Sequence, residues 1–275
     1  MTDVRLHITD SGGEGRPVVL IHGWPLSGES WQPQRRALTS AGYRVVDYDR
    51  RGFGQSDKPE DGYDYDTFAD DLQSVLTDLD LVDVTLVGFS MGGGEVARYV
   101  ARHGESRIRS VVFAAAVTPF MHQTDDNPDG PLDDATYQQL RGGLVEDREA
   151  FFEEFVRGFF SVGDQVKVGD GELKDAYEQC LQSSQTAAVG AMDAWATTDF
   201  RADLEKVTVP TLVIHGDGDA TVPLEGSGQR THAAIPHSEL VVIGDAPHGL
   251  NVSHTDEFDA ALLAFVGDEA PGVDD

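Results

Sequence analysis

Short apolar runs alternate with longer stretches of helical spacing along most of the chain. Residues 17–22, 43–48, 84–87, 108–116, 209–215 and 240–243 are rich in Val, Ile and Leu. Runs of this length and β-branched content predict buried parallel strands. Residues 4–10 alternate weakly at Val4, Leu6 and Ile8 and predict an N-terminal edge strand. Residues 31–41, 68–79, 94–101 and 255–265 carry helical spacing, with Val96, Tyr99 and Val100 on one face of the third. Strand, helix, strand in regular succession predicts an α/β fold with a mostly parallel, doubly wound sheet. Residues 119–203 break the alternation. An acidic loop at 124–131 is followed by helical patterns at 135–142, 148–160, 173–183 and 186–197. The expected organisation is therefore a core of residues 1–118 and 204–275 with a helical cap, residues 119–203, inserted over the strand ends. Phe151, Phe152, Phe155, Phe159 and Phe160 fall at mixed three- and four-residue spacings, which reads as packing between cap helices or as the wall of an apolar pocket. An acidic tail follows residue 265 and is expected to fray.

Composition narrows the picture. The chain has 275 residues and 40% hydrophobic content, enough for one large core. Its 49 acidic and 20 basic residues give a net charge of -29. That balance disfavours nucleic acid and anionic membranes as partners. Self-repulsion of this size is screened at molar salt, where the Debye length falls to about 3 Å, so a salt-adapted, halophilic protein is the expectation. No run of about 18 apolar residues predicts a transmembrane helix. No apolar segment follows Met1 that would read as a signal peptide. A cytoplasmic location is the default. The single cysteine, Cys180, cannot form an internal disulfide and reads as a buried filler.

The chemistry gathers at the ends of the predicted strands. Gly88-Phe89-Ser90-Met91-Gly92 has G-x-S-x-G spacing between an apolar strand and a helix. The turn is so tight that the flanking residues must be small, and Ser90 stands at its tip with the Met91 N–H beside it. No Lys follows the glycines, which argues against a phosphate loop. His22-Gly23-Trp24-Pro25 ends another strand. Its glycine permits close backbone approach, and the Trp24 N–H is the second candidate oxyanion donor. Pro25 restricts Trp24 to extended conformations, fixing that N–H and its neighbouring carbonyl. Residues 49–56 form a polar, Gly-punctuated loop expected to tie the strand ends together.

For the base, nine histidines compete. His7, His103, His122, His232, His237 and His254 fall on helices, loops or the edge. His22 and His215 read as structural. His248, in a Pro-His-Gly turn after the last strand, is the choice. For the acid, Asp219 is preferred to Asp217 because it stands further into the loop, with Asp245 third. Ser90, Asp219 and His248 follow the order nucleophile, acid, histidine. A hydroxyl is a poor nucleophile at neutral pH; a histidine oriented by a carboxylate removes that obstacle. No His/Cys cluster has metal-ligand spacing and no dinucleotide fingerprint is present, so neither metal nor cofactor is expected.

These residues together resemble the α/β-hydrolase superfamily over essentially the whole chain. Within it, His22-Gly23-Trp24-Pro25, the stretch from Gly88 to Tyr99, Thr198-Asp199-Phe200-Arg201 with Asp203-Leu204, and His215-Gly216-Asp217-Gly218-Asp219 are similar to the cofactor-free (non-haem) chloroperoxidase and arylesterase branch. The resemblance implies a Ser90, Asp219, His248 triad with Trp24 and Met91 as oxyanion donors. It implies hydrolysis of small carboxylic esters, with peracid formation from carboxylic acids and hydrogen peroxide as the alternative and lactone hydrolysis as a third activity. Branch members often form homo-oligomers; the extreme acidity is a departure. Ser at position 90 argues against haloalkane dehalogenases and epoxide hydrolases, which place Asp there. A hydrolase-fold ligand receptor is the rival from another class, and a broken triad would be its mark.

Overall fold

The computed structural model describes residues 4–267. The order is β1 (Ile8–Asp10), β2 (Pro17–Ile21), α1 (Gln32–Ser40), β3 (Arg44–Tyr48), α2 (Tyr65–Asp78), β4 (Val84–Phe89), α3 (Met91–His103) and β5 (Ile108–Ala114). Then come α4 (Asp134–Glu146), α5 (Arg148–Phe159), a hairpin of β6 (Ser161–Val162) and β7 (Gln165–Val166), α6 (Asp170–Gln182), α7 (Gln185–Thr197) and α8 (Arg201–Leu204). The chain returns through β8 (Thr211–Gly216), α9 (Gly228–Ala234), β9 (Glu239–Ile243), α10 (Leu250–Ser253) and α11 (Thr255–Gly267).

Among the described residues, seven strands form one sheet in the order β1-β3-β2-β4-β5-β8-β9. Only β1 is antiparallel; every other pairing is parallel. All six residues of β4 and all six of β8 are buried, as apolar strands with helices on both faces require. Ile21 of β2 pairs with Gly88 of β4, and Gly88 with Phe113 of β5. Three carboxyl ends therefore finish side by side. No helix of the described residues is long and apolar enough to cross a membrane.

Four departures from the sequence expectation have physical causes. The edge strand covers only residues 8–10, because residues 5–7 bond the irregular 49–57 loop instead: His7 N–H donates to Ser56 Oγ at 2.8 Å and Asp57 N–H to Arg5 O at 3.0 Å. β5 stops at Ala114, because Ala115 turns to a φ of 44°. The first helix starts after a single turn of 3-10 helix, Gly28–Trp31, whose Glu29 N–H donates to the capping Ser27 Oγ. α3 starts at Met91, three residues before its apolar face is readable. Gly92, Gly93 and Gly94 lie inside it despite their poor helix propensity, because packing overrides propensity there. A Cβ on Gly92 would stand 2.4 Å from Ile21 O, on Gly93 2.4 Å from Ala116 Cβ, and on Gly94 2.6 Å from the Phe200 ring. The β6–β7 hairpin, α8, α9 and α10 are too short to show a period. The acidic tail from residue 268 lies outside the described residues.

Candidate active site

Ser90 joins β4 to α3 with φ 54° and ψ -118°, a left-handed conformation that costs a non-glycine residue of order 1–3 kcal/mol and persists only where its surroundings enforce it. The enforcement is visible: Ser90 N–H donates to Ala114 O at 2.8 Å, and Val117 N–H donates to Ser90 O at 3.2 Å. The glycine before the turn is obligatory, since a Cβ on Gly88 would meet Gly92 O at 2.4 Å.

The loops after β8 and β9 bring Asp219 and His248 to the same place. Ser90 Oγ is 2.9 Å from His248 Nε2, and His248 Nδ1 is 2.7 Å from Asp219 Oδ2. The Thr221 and Val222 N–H groups donate to Asp219 Oδ1 at 2.9 and 2.8 Å. Burial alone would push the Asp219 carboxyl up. The charge of His248 and the hydrogen bonds from His215 and His248 outweigh it and hold the group at about 2. The ring of His248 is 1% exposed. It lies against Phe89 and, edge to face at 5.0 Å, against Phe159 of α5. Asp217, the rival acid, instead accepts Asp245 N–H at 2.6 Å, and Asp245 pairs with Lys167 at 2.6 Å.

Since Asp219 stays ionised to about pH 2, its carboxyl adds no proton to the acid-side fall of kcat/KM above that range. A slope of no more than one proton is expected above about pH 4. A two-proton slope above about pH 4 in a pH–rate profile would show the carboxyl titrating as well.

The strand end after β2 sits against the nucleophile turn. A Cβ on Gly23 would reach within 2.7 Å of the Phe89 ring and 3.0 Å of Ser90 Cβ, so glycine alone allows Trp24 this close. Met91 is the first residue of α3, where no carbonyl of the helix can accept its N–H. Behind Trp24, His22 Nδ1–H donates to Gly23 O at 2.9 Å, and its Nε2 accepts Arg50 N–H at 2.9 Å. Burial, reinforced by the Arg50 charge, drives the His22 ring well below the usual histidine range. Arg50 Nη2–H donates to His22 O at 2.9 Å, and Arg50 Nε–H to Glu95 Oε2 at 2.7 Å; Tyr48 O–H also donates to Glu95. The Arg50 and Glu95 side chains are both 0% exposed. Sequence reasoning missed Glu95 as an anchor. Its one signal is a carboxylate beside Val96 and Ala97, on a helix whose neighbouring residues are all small or apolar.

Above Ser90 and His248 lies a cavity of about 310 Å³, lined by Trp24, Val117, Met121, Pro131, Leu132, Thr136, Leu140, Phe151, Phe155, Gly158, Met192, Trp195, Ala220, Thr221, Val222 and Pro223. The five cap phenylalanines divide between the two readings. Phe151 and Phe155 wall the cavity, while Phe152, Phe159 and Phe160 are buried. Trp24 Nε1–H donates to Ala188 O of α7 at 2.9 Å. The end of α5 and the segment just after it grip both catalytic loops. Gly249 N–H donates to Phe159 O at 2.9 Å. A Cβ on Gly218 would meet Val162 at 2.5 Å, and one on Gly249 would meet Phe160 at 2.3 Å.

The family model described as alpha/beta hydrolase fold matches residues 16–255. The chain is 46% identical to a non-heme chloroperoxidase of Kitasatospora aureofaciens, over 92% of this chain and 93% of that one. It is 34% identical to a bifunctional esterase/perhydrolase of Acinetobacter calcoaceticus, over 96% of each. Among solved structures, a bromoperoxidase from Bacillus anthracis superposes with a TM-score of 0.94 at 52% identity, with 96% of both chains covered.

Proposed function

The chain belongs to the α/β-hydrolase fold family, in the branch of the non-haem chloroperoxidases and esterases, and on that premise we propose that it is a serine hydrolase of small carboxylic esters. Ser90 Oγ attacks the ester carbonyl carbon while His248 Nε2 takes its proton. The Trp24 and Met91 N–H groups receive the developing oxyanion. As the tetrahedral intermediate collapses, the C–O bond to the alcohol breaks and His248 returns the proton to the leaving oxygen. Water, deprotonated by the same ring, then releases the acid from Ser90. Asp219 holds the ring with Nδ1 protonated. The observation that carries the reading is the Ser90–His248–Asp219 chain of hydrogen bonds, 2.9 and 2.7 Å, opening on a cavity lined mostly by apolar side chains. Turnover of p-nitrophenyl acetate and butyrate that disappears in Ser90→Ala is the test. Folded wild-type protein without turnover would favour the receptor alternative.

A second reading is supported by the esterase/perhydrolase relative. Hydrogen peroxide in place of water would release a peracid from the acyl-enzyme, and the peracid would oxidise halide in solution. Trp24, fixed by Pro25, would offer its carbonyl to the incoming peroxide. Replacing Pro25 by Ala is then expected to lower the peracid-to-acid ratio roughly fivefold, the worth of one neutral hydrogen bond. An unchanged ratio in a peroxide-competition assay would remove the carbonyl from the account.

The same proposal includes a cap of residues 119–203 on a core of residues 1–118 and 204–275, assembly into a homo-oligomer, and a cytoplasmic, salt-adapted setting. For the last, the net charge of -29 predicts a Tm that rises between low salt and molar KCl. A flat or falling Tm in calorimetry would point to an ordinary acidic protein.

A further inference from the structure

β8 carries a second buried histidine that the mechanism above does not use. His215 is 0% exposed. Its Nε2 lies 2.8 Å from Val222 O and 3.3 Å from Asp219 Oδ2, the same oxygen that holds His248. Its Nδ1 is buried with no hydrogen-bond partner and faces Gly228, where a Cβ would stand only 2.5 Å away. Two acceptor oxygens on one side and a partnerless nitrogen on the other fix the tautomer: the proton sits on Nε2. A second proton, on Nδ1, would have no acceptor.

We propose that His215 is a positioning residue for the triad acid: its Nε2–H, fixed by Val222 O and 3.3 Å from Asp219 Oδ2, sets a positive dipole beside that oxygen and so tempers how strongly it binds His248. The proposal rests on the triad reading above. Three hydrogen bonds hold the carboxylate, from the Thr221 and Val222 N–H groups to Oδ1 and from His248 to Oδ2, and the His215 Nε2–H stands 3.3 Å from Oδ2. His215 therefore tunes the charge of the carboxylate more than its direction. An acceptor relieved of one donor concentrates its charge on the other. A too-basic His248 would keep the proton it must give to the leaving group.

The surroundings leave few other candidates for this tuning. The titratable groups acting on the Asp219 carboxylate are His248, from the loop after β9, and His215 itself. The α9 helix meets His215 with Gly228, the cap hairpin meets the acid loop at Gly218 with Val162, and β5 ends beside β8 in Ala114 and Ala115, all uncharged. His215 is not among the residues lining the cavity, so its effect on substrate binding is expected to be small.

The test compares kcat/KM against pH for p-nitrophenyl acetate in the wild type, His215→Leu and His215→Gln, with Ser90→Ala as the blank. In His215→Leu the acid limb is expected to move up by roughly half a unit to one unit, with KM within about twofold of wild type. His215→Gln, whose amide N–H reaches toward the same oxygen, should bring the limb back. A purely structural role would lower stability and leave the limb where it is. The proposal is overturned if the leucine variant's limb superimposes on the wild type, or if the glutamine variant tracks the leucine one. Should His215→Leu not fold, Gly228→Ala pushes the ring from behind, toward Asp219, and must shift the limb the other way, downward; an unmoved limb overturns the proposal equally. If the wild type shows no Ser90-dependent turnover, the hydrolase reading fails by itself. An NMR titration of the His248 ring in wild type and His215→Gln against Gly228→Ala then decides His215 alone, a downward shift in the last supporting it and coincident curves overturning it.

Discussion

Ser90→Ala, His248→Ala and the double replacement are expected to lower kcat for p-nitrophenyl acetate by similar factors, roughly 10⁵–10⁶ each. The reason is that Ser90 Oγ and His248 Nε2, 2.9 Å apart, act as one device. Without the ring the hydroxyl keeps its proton; without the hydroxyl the ring has nothing to activate. Once either is gone, losing the other changes little. The activity left over should stand roughly 10³–10⁴ above water, from the oxyanion donors and substrate positioning. Those donors are backbone groups and survive all three replacements. Active-site titration and single-turnover kinetics would check this. A double mutant whose loss is the product of the two single losses would show that the two residues act independently, and the acyl-enzyme scheme would have to be abandoned.

Glu95→Gln is expected to destabilise the protein by about 3–5 kcal/mol, because it strips the partner from a fully buried guanidinium. At this chain length that corresponds to a fall in Tm of roughly 10 °C. Arg50 is already short of one acceptor, since its Nη1 is buried without a partner. It has no exposed position to which it can retreat. Removing both charges, as Arg50→Met with Glu95→Leu, should restore most of the stability, since a buried pair repays its desolvation poorly against apolar side chains of similar volume. It should not restore activity. Arg50 also holds His22 O, and His22 leads into the Gly23-Trp24 turn. Urea denaturation and kcat measured on the wild type and the two variants would separate the two effects. A loss below about 1 kcal/mol in Glu95→Gln would mean that the pair is solvated in solution.

What could be read from the chain was what depends on neighbours in sequence. The sheet was readable because β4 and β8 are mostly apolar and buried from end to end, with no solvent face to confuse the period. The nucleophile turn was readable because steric exclusion at Gly88 and Gly92 leaves a fixed spacing. The triad candidates followed from strand ends and chain order, and the structure places His248 within hydrogen-bond reach of both Ser90 and Asp219. Contacts between residues far apart in the chain left no such trace. Glu95 and Arg50 are 45 positions apart, and nothing local marks either as the other's partner. His215 reads as the end of a strand until the loop that carries Val222 and Asp219 is folded back over it. The first turn of α3 was unreadable for the opposite reason: its glycines argue locally for a turn, and only the close approach of Ile21, Ala116 and Phe200 makes them helical.

The grip of the segment after α5 on both catalytic loops bears on how such an enzyme could be rebuilt. Residues 159–167 hold the acid loop through Val162 over Gly218 and the histidine loop through Phe159 O and Lys167. A chimaera that exchanges the whole stretch between β5 and β8 would import a stranger's hold on His248 along with a new cavity. The cavity walls contributed by α4 and α7 carry no such duty. Thr136, Leu140, Met192 and Trp195 are therefore the positions at which substitutions should alter substrate range while leaving the proton-transfer geometry in place.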